Sequence, residues 1–222
     1  MLASQTVENY LKAIYVAQVP DDEGNLVPMG QLASALGVVP GTATTMVKTL
    51  AESGLVRYEP YMGVRLTPAG ERLAVMVLRR HRLIELFLVQ VLAMNWSEVH
   101  EEAERLEHAV SERLIDRIDE MLGRPAVDPH GDPIPGPAGE LNRQSYPDLL
   151  NSPIDTPLSV IRVTDQGADF LRFIEQRGLK PGQRIRIEAR DPTSDSVTLR
   201  SEDGVQTTIG TKAASKLLVS VG

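Results

Sequence analysis

Eight of the chain's fifteen prolines lie between Gly123 and Pro157, and this one feature limits what the remainder can fold into. Proline fixes φ and carries no N–H, so a stretch this rich in it sustains neither a helix nor a strand ladder. Residues 124–157 are therefore expected as an extended linker. Before it, apolar residues recur at helical spacing; after it, they alternate or cluster at strand length. The expectation is a mainly α chain with a small β domain. Its parts are residues 1–73, a helical domain over 74–123, the linker, and residues 158–222, within the range of lengths that such domains occupy.

In the first part, Thr6-Val-Glu-Asn-Tyr-Leu-Lys-Ala-Ile-Tyr reads as a helix stopped by a turn over residues 21–25. Two short helices follow, over residues 29–36 and 40–52, separated by Gly37 and ended by Ser53-Gly54. That is the pattern of a helix-turn-helix. Two brief β-prone runs over residues 55–66 then predict a hairpin wing, and Thr67-Pro68 caps the next helix. This long helix, over residues 69–91, is more apolar than one buried face needs, which predicts dimerisation. Helices over 97–109 and 111–122 follow. After the linker, residues 159–163, 183–189, 196–200 and 217–221 predict strands around one helix over 167–177, and so a small β-barrel.

The chain has no cysteine, which removes disulfides, thiol nucleophiles, iron–sulfur clusters and thiolate zinc sites. Any metal must be held by oxygen and imidazole nitrogen. No apolar run approaches the length of a membrane span, and no signal-peptide pattern opens the sequence, so a cytoplasmic protein without a membrane partner is expected.

Three of the four histidines, His81, His100 and His108, share one window with Glu85, Glu104 and Glu107. At about 100° per residue, positions 100, 104, 107 and 108 form one stripe beside an apolar stripe of Val99, Ala103, Leu106 and Val110. Carboxylates crowded at the margin of a core repel one another unless a proton or cation lies between them. His81 and Glu85 are i,i+4 neighbours that can face the same place. The set suits Mn²⁺ or Fe²⁺, with Zn²⁺ and Co²⁺ expected to bind in vitro. A solvated acidic helix is the plain alternative, and a helical metalloenzyme the chemical one; no nucleophile arrangement or phosphate loop supports an enzyme.

On the helix over 40–52, Ala43, Val47 and Leu50 mark one side and Thr45 and Lys48 the other, with Thr42 and Thr44 flanking. Exposed threonines and a lysine on a second helix suit major-groove contact by hydroxyl donors, methyl groups and an ammonium. Arg57 and Arg65 in the wing are phosphate candidates, as is Tyr58. The charge balance opposes this, with five basic against seven acidic residues over 1–73 and six against ten over 74–122. Metal bound by the second group of carboxylates would relieve the repulsion, which predicts DNA binding that depends on metal.

Taken together, these stretches resemble the diphtheria-toxin-repressor and manganese-transport-regulator family of metal-dependent transcriptional repressors. The resemblance rests on the first helix, Leu66-Thr-Pro-Ala-Gly, Arg80-His-Arg-Leu-Ile-Glu-Leu-Phe-Leu, Val99-His-Glu-Glu-Ala-Glu-Arg-Leu-Glu-His and Pro129-His-Gly-Asp-Pro-Ile-Pro. It implies an N-terminal winged helix-turn-helix, a helical dimerisation and metal-binding domain, and a C-terminal SH3-like, FeoA-like barrel. It implies a homodimer on a palindromic operator in double-stranded DNA, controlling metal homeostasis. It further implies one regulatory metal site at Glu104, Glu107 and His108, reached by Asn9, and an ancillary site at His81, Glu85 and His100, to which Gln166 and Asp169 of the barrel would contribute. Glutamate at 104, where iron-type members carry cysteine, points to a harder cation. Lys12 stands where manganese-type members carry a glutamate and cannot ligate a cation. His130, in the linker motif, is expected to be structural or exposed.

Overall fold

The computed structural model describes residues 4–18, 26–141 and 144–222, so the turn expected over residues 21–25 lies outside the described residues. The chain forms two compact units. The first comprises Met1–His81, Arg105–Glu112 and Pro135–Leu141, and the second Arg82–Glu104, Arg113–Ile134 and Asn142–Gly222.

The first unit opens with α1 (Gln5–Ala17), whose N-cap Ser4 accepts a hydrogen bond from Val7 N. Then come α2 (Met29–Ala35) and α3 (Pro40–Glu52), with proline at the first turn of α3, where no helical donor is lost. Between them Gly37 takes φ +64°, a left-handed turn that glycine adopts without strain, and Val38 N reaches back to Ala33 O. The wing is β1 (Val56–Glu59) paired antiparallel with β2 (Gly63–Leu66). Leu11, Ile14, Leu32, Val47, Leu50 and Val64 form one apolar core beneath these elements. Gly70 allows α4 (Pro68–Gln90) to start against the wing, because a Cβ there would stand 2.0 Å from Leu55 O.

Residues 77–86 of α4 are buried on every face, including Arg79, Arg80 and Arg82. Much of the apolar density of this helix is thus already covered within one chain.

The second unit contains α5 (Val99–Leu106), α6 (Glu112–Met121) and a five-stranded antiparallel sheet. Its strands are β3 (Pro157–Val163), β4 (Arg184–Asp191), β5 (Ser196–Ser201), β6 (Gln206–Gly210) and β7 (Leu217–Val221), in the order β6-β5-β4-β3-β7. Val160, Ile187, Val197, Leu199 and Val219 face one core with Leu171 and Ile174 of α7 (Ala168–Glu175). Closure into a barrel needs a ladder between β6 and β7, and none is present among the described residues: the sheet is open. The strand β6 and the short α8 (Thr211–Ala214) were not legible in the sequence, where Gln206-Thr-Thr-Ile-Gly offers one buried residue.

The proline-rich stretch is not a solvated tether. Asp128, His130, Asp132, Ile134, Leu149 and Ser152 in it are buried. Proline lacks a donor but keeps its carbonyl, and these carbonyls are used: Pro147 O accepts from Val219 N, and Pro135 O accepts from Arg79 Nη1. No helix among the described residues is long and apolar enough to cross a membrane.

Candidate metal centres and nucleic-acid face

α5 ends at Leu106, and residues 107–109 form a turn in which Ala109 N bonds to Leu106 O. The expected helical stripe is therefore broken, and Glu107 and His108 leave the helix. In the first unit they meet residues of α1 and α4. Glu107 is fully buried; its Oε1 accepts from Lys12 Nζ at 2.6 Å and its Oε2 lies 2.5 Å from His81 Nδ1. His108 Nδ1 lies 2.6 Å from Glu8 Oε2, and Glu8 Oε1 accepts from Arg80 Nη2 at 3.1 Å. A carboxylate only accepts, so His108 Nδ1 carries the proton of this bond and Nε2 is the ring nitrogen left to face a ligand. That Nε2 is buried with no hydrogen-bond partner, 3.4 Å from Glu107 Oε1. Asn9 Oδ1 is likewise buried and without a hydrogen-bond partner.

Glu85 and His100, the remaining residues expected at an ancillary site, lie in the second unit. Glu85 is fully buried, its Oε1 lies 3.1 Å from His100 Nδ1, and His100 Nε2 lies 3.9 Å from Glu104 Oε1. Of the two expectations for His130, structural or exposed, the second does not hold: it is fully buried, and Glu85, Asp128 and His130 each present a ligand atom within 4.8 Å of the others. The loop that brings them there is short. Asp128-Pro-His-Gly closes a β-turn, with Gly131 N bonding to Asp128 O, and Asp128 Oδ1 accepts from His130 N at 2.8 Å and Asp132 N at 2.9 Å. Val163 N bonds to His130 O and ties the turn to β3. Gly131, at φ +87°, lies so close to that strand that a Cβ would stand 2.0 Å from Ile161 O.

His130 Nε2 lies 3.0 Å from Trp96 O, which assigns the Nε2 proton and turns Nδ1 toward Glu85 Oε2, 3.7 Å away. Nδ1 and Asp128 Oδ2 are both buried without a hydrogen-bond partner. Burial, then the neighbouring Asp132 and Glu85 carboxylates, push the Asp128 pKa up to about 7 against the pull of His130 and Arg82. For His130, burial opposes the imidazolium, but the nearby Glu85 carboxylate, with Asp128 and the Trp96 carbonyl, outweighs it and raises its pKa. Three buried carboxylates, Glu85, Asp128 and Asp132, thus share this space with His130 and the guanidiniums of Arg82 and Arg162, and an oxygen and imidazole donor set of this kind fits a divalent cation.

The two residues expected from the C-terminal domain are placed differently from each other. Gln166 Nε2 donates to Asp132 Oδ2 at 2.6 Å, so its amide is tied to a carboxylate. Asp169 is 98 % exposed and paired with Arg172 one turn along its own helix, so as placed it offers no ligand to the buried cluster.

On α3 the expected division holds: Ala43, Val47 and Leu50 are buried, while Thr42, Thr45 and Lys48 are exposed and Thr44 half-buried. One detail differs. Thr44 Oγ1 donates to Pro40 O and Thr45 Oγ1 to Gly41 O, so these hydroxyl protons are spent on the helix itself. What remains for a ligand is their methyl groups and oxygen lone pairs. In the wing, Arg57 and Arg65 are directly opposed across the two strands. Like charges in that position are unfavourable unless an anion is shared.

A winged pair of helices and two imidazole–carboxylate clusters in one chain agree with the comparisons with known proteins. Residues 2–64 match the model of the iron dependent repressor N-terminal DNA binding domain, and residues 67–136 that of the iron dependent repressor metal binding and dimerisation domain. Residues 149–221 match the FeoA domain. The iron-dependent repressor IdeR of Mycobacterium tuberculosis is 30% identical over 212 residues, 90% of this chain and 91% of that protein. The chain belongs to the family of iron- and manganese-dependent transcriptional repressors.

Other members of this repressor family agree. The diphtheria toxin repressor of Corynebacterium glutamicum is 35% identical over 156 residues, 69% of this chain and 66% of that protein. A manganese-dependent transcriptional repressor solved in complex with manganese has a TM-score of 0.88 at 38% identity, covering 97% of this chain and 100% of that one. ScaR with bound Zn²⁺ has a TM-score of 0.79 at 30% identity, covering 97% and 99%.

Sequence reasoning did not single out Asp128 or Glu8, and read His130 as structural or exposed rather than as part of a cluster with Glu85. Their one sequence signal is a carboxylate and an imidazole two residues apart in an Asp-Pro-His-Gly turn.

Proposed function

We propose that this member of the repressor family is a homodimeric repressor that binds a palindromic operator in the cytoplasm when Mn²⁺ or Fe²⁺ fills two centres. The first centre uses Glu107, His108 and Asn9 with His81 beside them. The second uses Glu85, Asp128 and His130 with His100. The carrying observation is the pair of buried imidazole nitrogens, His108 Nε2 and His130 Nδ1, each with its other nitrogen engaged and no hydrogen-bond partner of its own. Mn²⁺ is the first choice on the all-oxygen-and-nitrogen donor set and on the likeness to the manganese-bound repressor. Bound metal supplies positive charge, which offsets the repulsion between an acidic chain and phosphate. The match to the FeoA domain supports reading the C-terminal sheet as an SH3-like module, and exposed Leu114 and Met121 on α6 support a dimer face.

To move the protein from 1:99 to 99:1 in favour of the DNA-binding form, metal must prefer that form by about 5.5 kcal/mol. The test is selection of genomic DNA fragments on the immobilised protein, in Mn²⁺ and in chelator at one fixed salt concentration. A palindromic site should be enriched with metal alone, and Glu107→Gln should abolish the enrichment while leaving a folded dimer. A Glu107→Gln protein that keeps its metal response would remove the first centre from the mechanism.

A further inference from the structure

Glu107 is fully buried, and a buried carboxylate survives only with a counter-charge. Lys12 supplies one: its ammonium stands 2.6 Å from Glu107 Oε1, the same oxygen that His108 Nε2 approaches to 3.4 Å. A cation bridging Glu107 Oε1 and His108 Nε2 would therefore compete with this ammonium for the oxygen. Among the buried groups the formal charges also balance without metal, with Glu8 and Glu107 set against Arg80 and Lys12 and the exposed Glu112 3.5 Å from Arg80 Nε at the rim.

We propose that Lys12 is a tethered counter-cation that exchanges with the divalent metal at the first centre and sets the metal concentration at which that centre fills. This deepens the reading of the chain as a metal-dependent repressor and rests on it. A dication entering a neutral buried cluster leaves two uncompensated positive charges, and release of the Lys12 ammonium halves that excess. Lys12 is suited to leave. Its side chain keeps 12% of its exposure while Glu107 has none, and its flexible stem carries a point charge rather than a fixed fork. Arg80 is not: its guanidinium donates both to Glu8 Oε1 and to the Glu107 carbonyl.

The exchange also has a route to the DNA-contacting helices. Lys12 lies on α1 between Leu11 and Ile14, which are buried in the same core as Leu32 of α2 and Val47 of α3. Moving the ammonium off Glu107 and drawing Asn9 Oδ1 toward a metal both act on that helix.

The test is calorimetric titration of the full chain with Mn²⁺, for wild type, Lys12→Gln and Lys12→Arg, with His108→Ala marking which binding class is the first centre. Lys12→Gln should bind Mn²⁺ at least tenfold more tightly at that centre, and Lys12→Arg should stay within about threefold of wild type, since tenfold is about 1.4 kcal/mol and the arginine keeps the charge. In chelator, Lys12→Gln should melt lower by about 3 °C or more and recover on adding Mn²⁺. Equal or weaker Mn²⁺ binding by Lys12→Gln overturns the exchange and leaves Lys12 a structural ion pair. Identical titrations of wild type and His108→Ala remove the first centre itself, which overturns the exchange together with the reading beneath it.

Discussion

Asp128→Asn should make the metal-free protein more stable at pH 8. The Asp128 pKa stands at about 7 in the folded protein against an ordinary 3.8. At about 1.4 kcal/mol per unit, holding that carboxylate ionised costs the fold up to about 4 kcal/mol. Asparagine removes the charge and keeps the acceptor oxygen for His130 N and Asp132 N, which Asp128 Oδ1 now holds at 2.8 and 2.9 Å. Because His130 and Arg82 lose an attractive partner, the expected gain is about 2–4 kcal/mol. The sign depends on pH. A folded-state pKa raised above the unfolded value means this group's stabilisation is complete below about pH 4 and is lost as pH rises to about 7. The gap between variant and wild type should therefore open across that window and vanish at its acid end. Trp96 is the chain's only tryptophan and its ring lies 5.4 Å from that of His130, so urea denaturation followed by its fluorescence reports on this unit. Mn²⁺ should narrow or close this gap: wild type gains about 2.7 kcal/mol at a hundred times Kd, and the variant loses this share. A variant no more stable than wild type at pH 8 in chelator, or a difference indifferent to pH, would refute the electrostatic reasoning.

Two further outcomes are expected. Gly131→Ala forces a Cβ to within 2.0 Å of Ile161 O at a left-handed φ of +87°, and should cost at least about 2 kcal/mol in the same urea titration; an unchanged midpoint would show that the turn is free to move away from β3. Arg65→Ala relieves the cross-strand opposition with Arg57, yet should weaken DNA binding across sequences and lower the slope of log K against log salt by about one; an unchanged slope would exclude a phosphate contact at Arg65.

The winged helix-turn-helix was legible because each of its signals is local. The Gly37 and Gly54 turns, Pro40 at a helix start and the apolar spacing of Ala43, Val47 and Leu50 act within a few residues, and the structure keeps them all. The same holds for the alternation that marks β3, β4, β5 and β7. Local signals also misled. The His100-to-His108 stripe assumed a helix that continues, but α5 ends at Leu106, and Glu107 and His108 turn away to partners on other elements. The threonines of α3 were correctly placed, but periodicity carries no information on where a hydroxyl proton goes.

What the sequence determined alone is the chemistry available: no thiols, four imidazoles, an excess of carboxylates, and the backbone preferences that set most of the helices and strands. What only the tertiary structure decided is which of these groups share a site. Glu8 and His108 are paired across a hundred residues, and Glu85 meets His130 through a turn that composition marks as linker. Those pairings follow from burial. A carboxylate taken out of water must find a proton, an ammonium, an imidazole or a metal, and which one it finds depends on the packing of elements far apart in the chain.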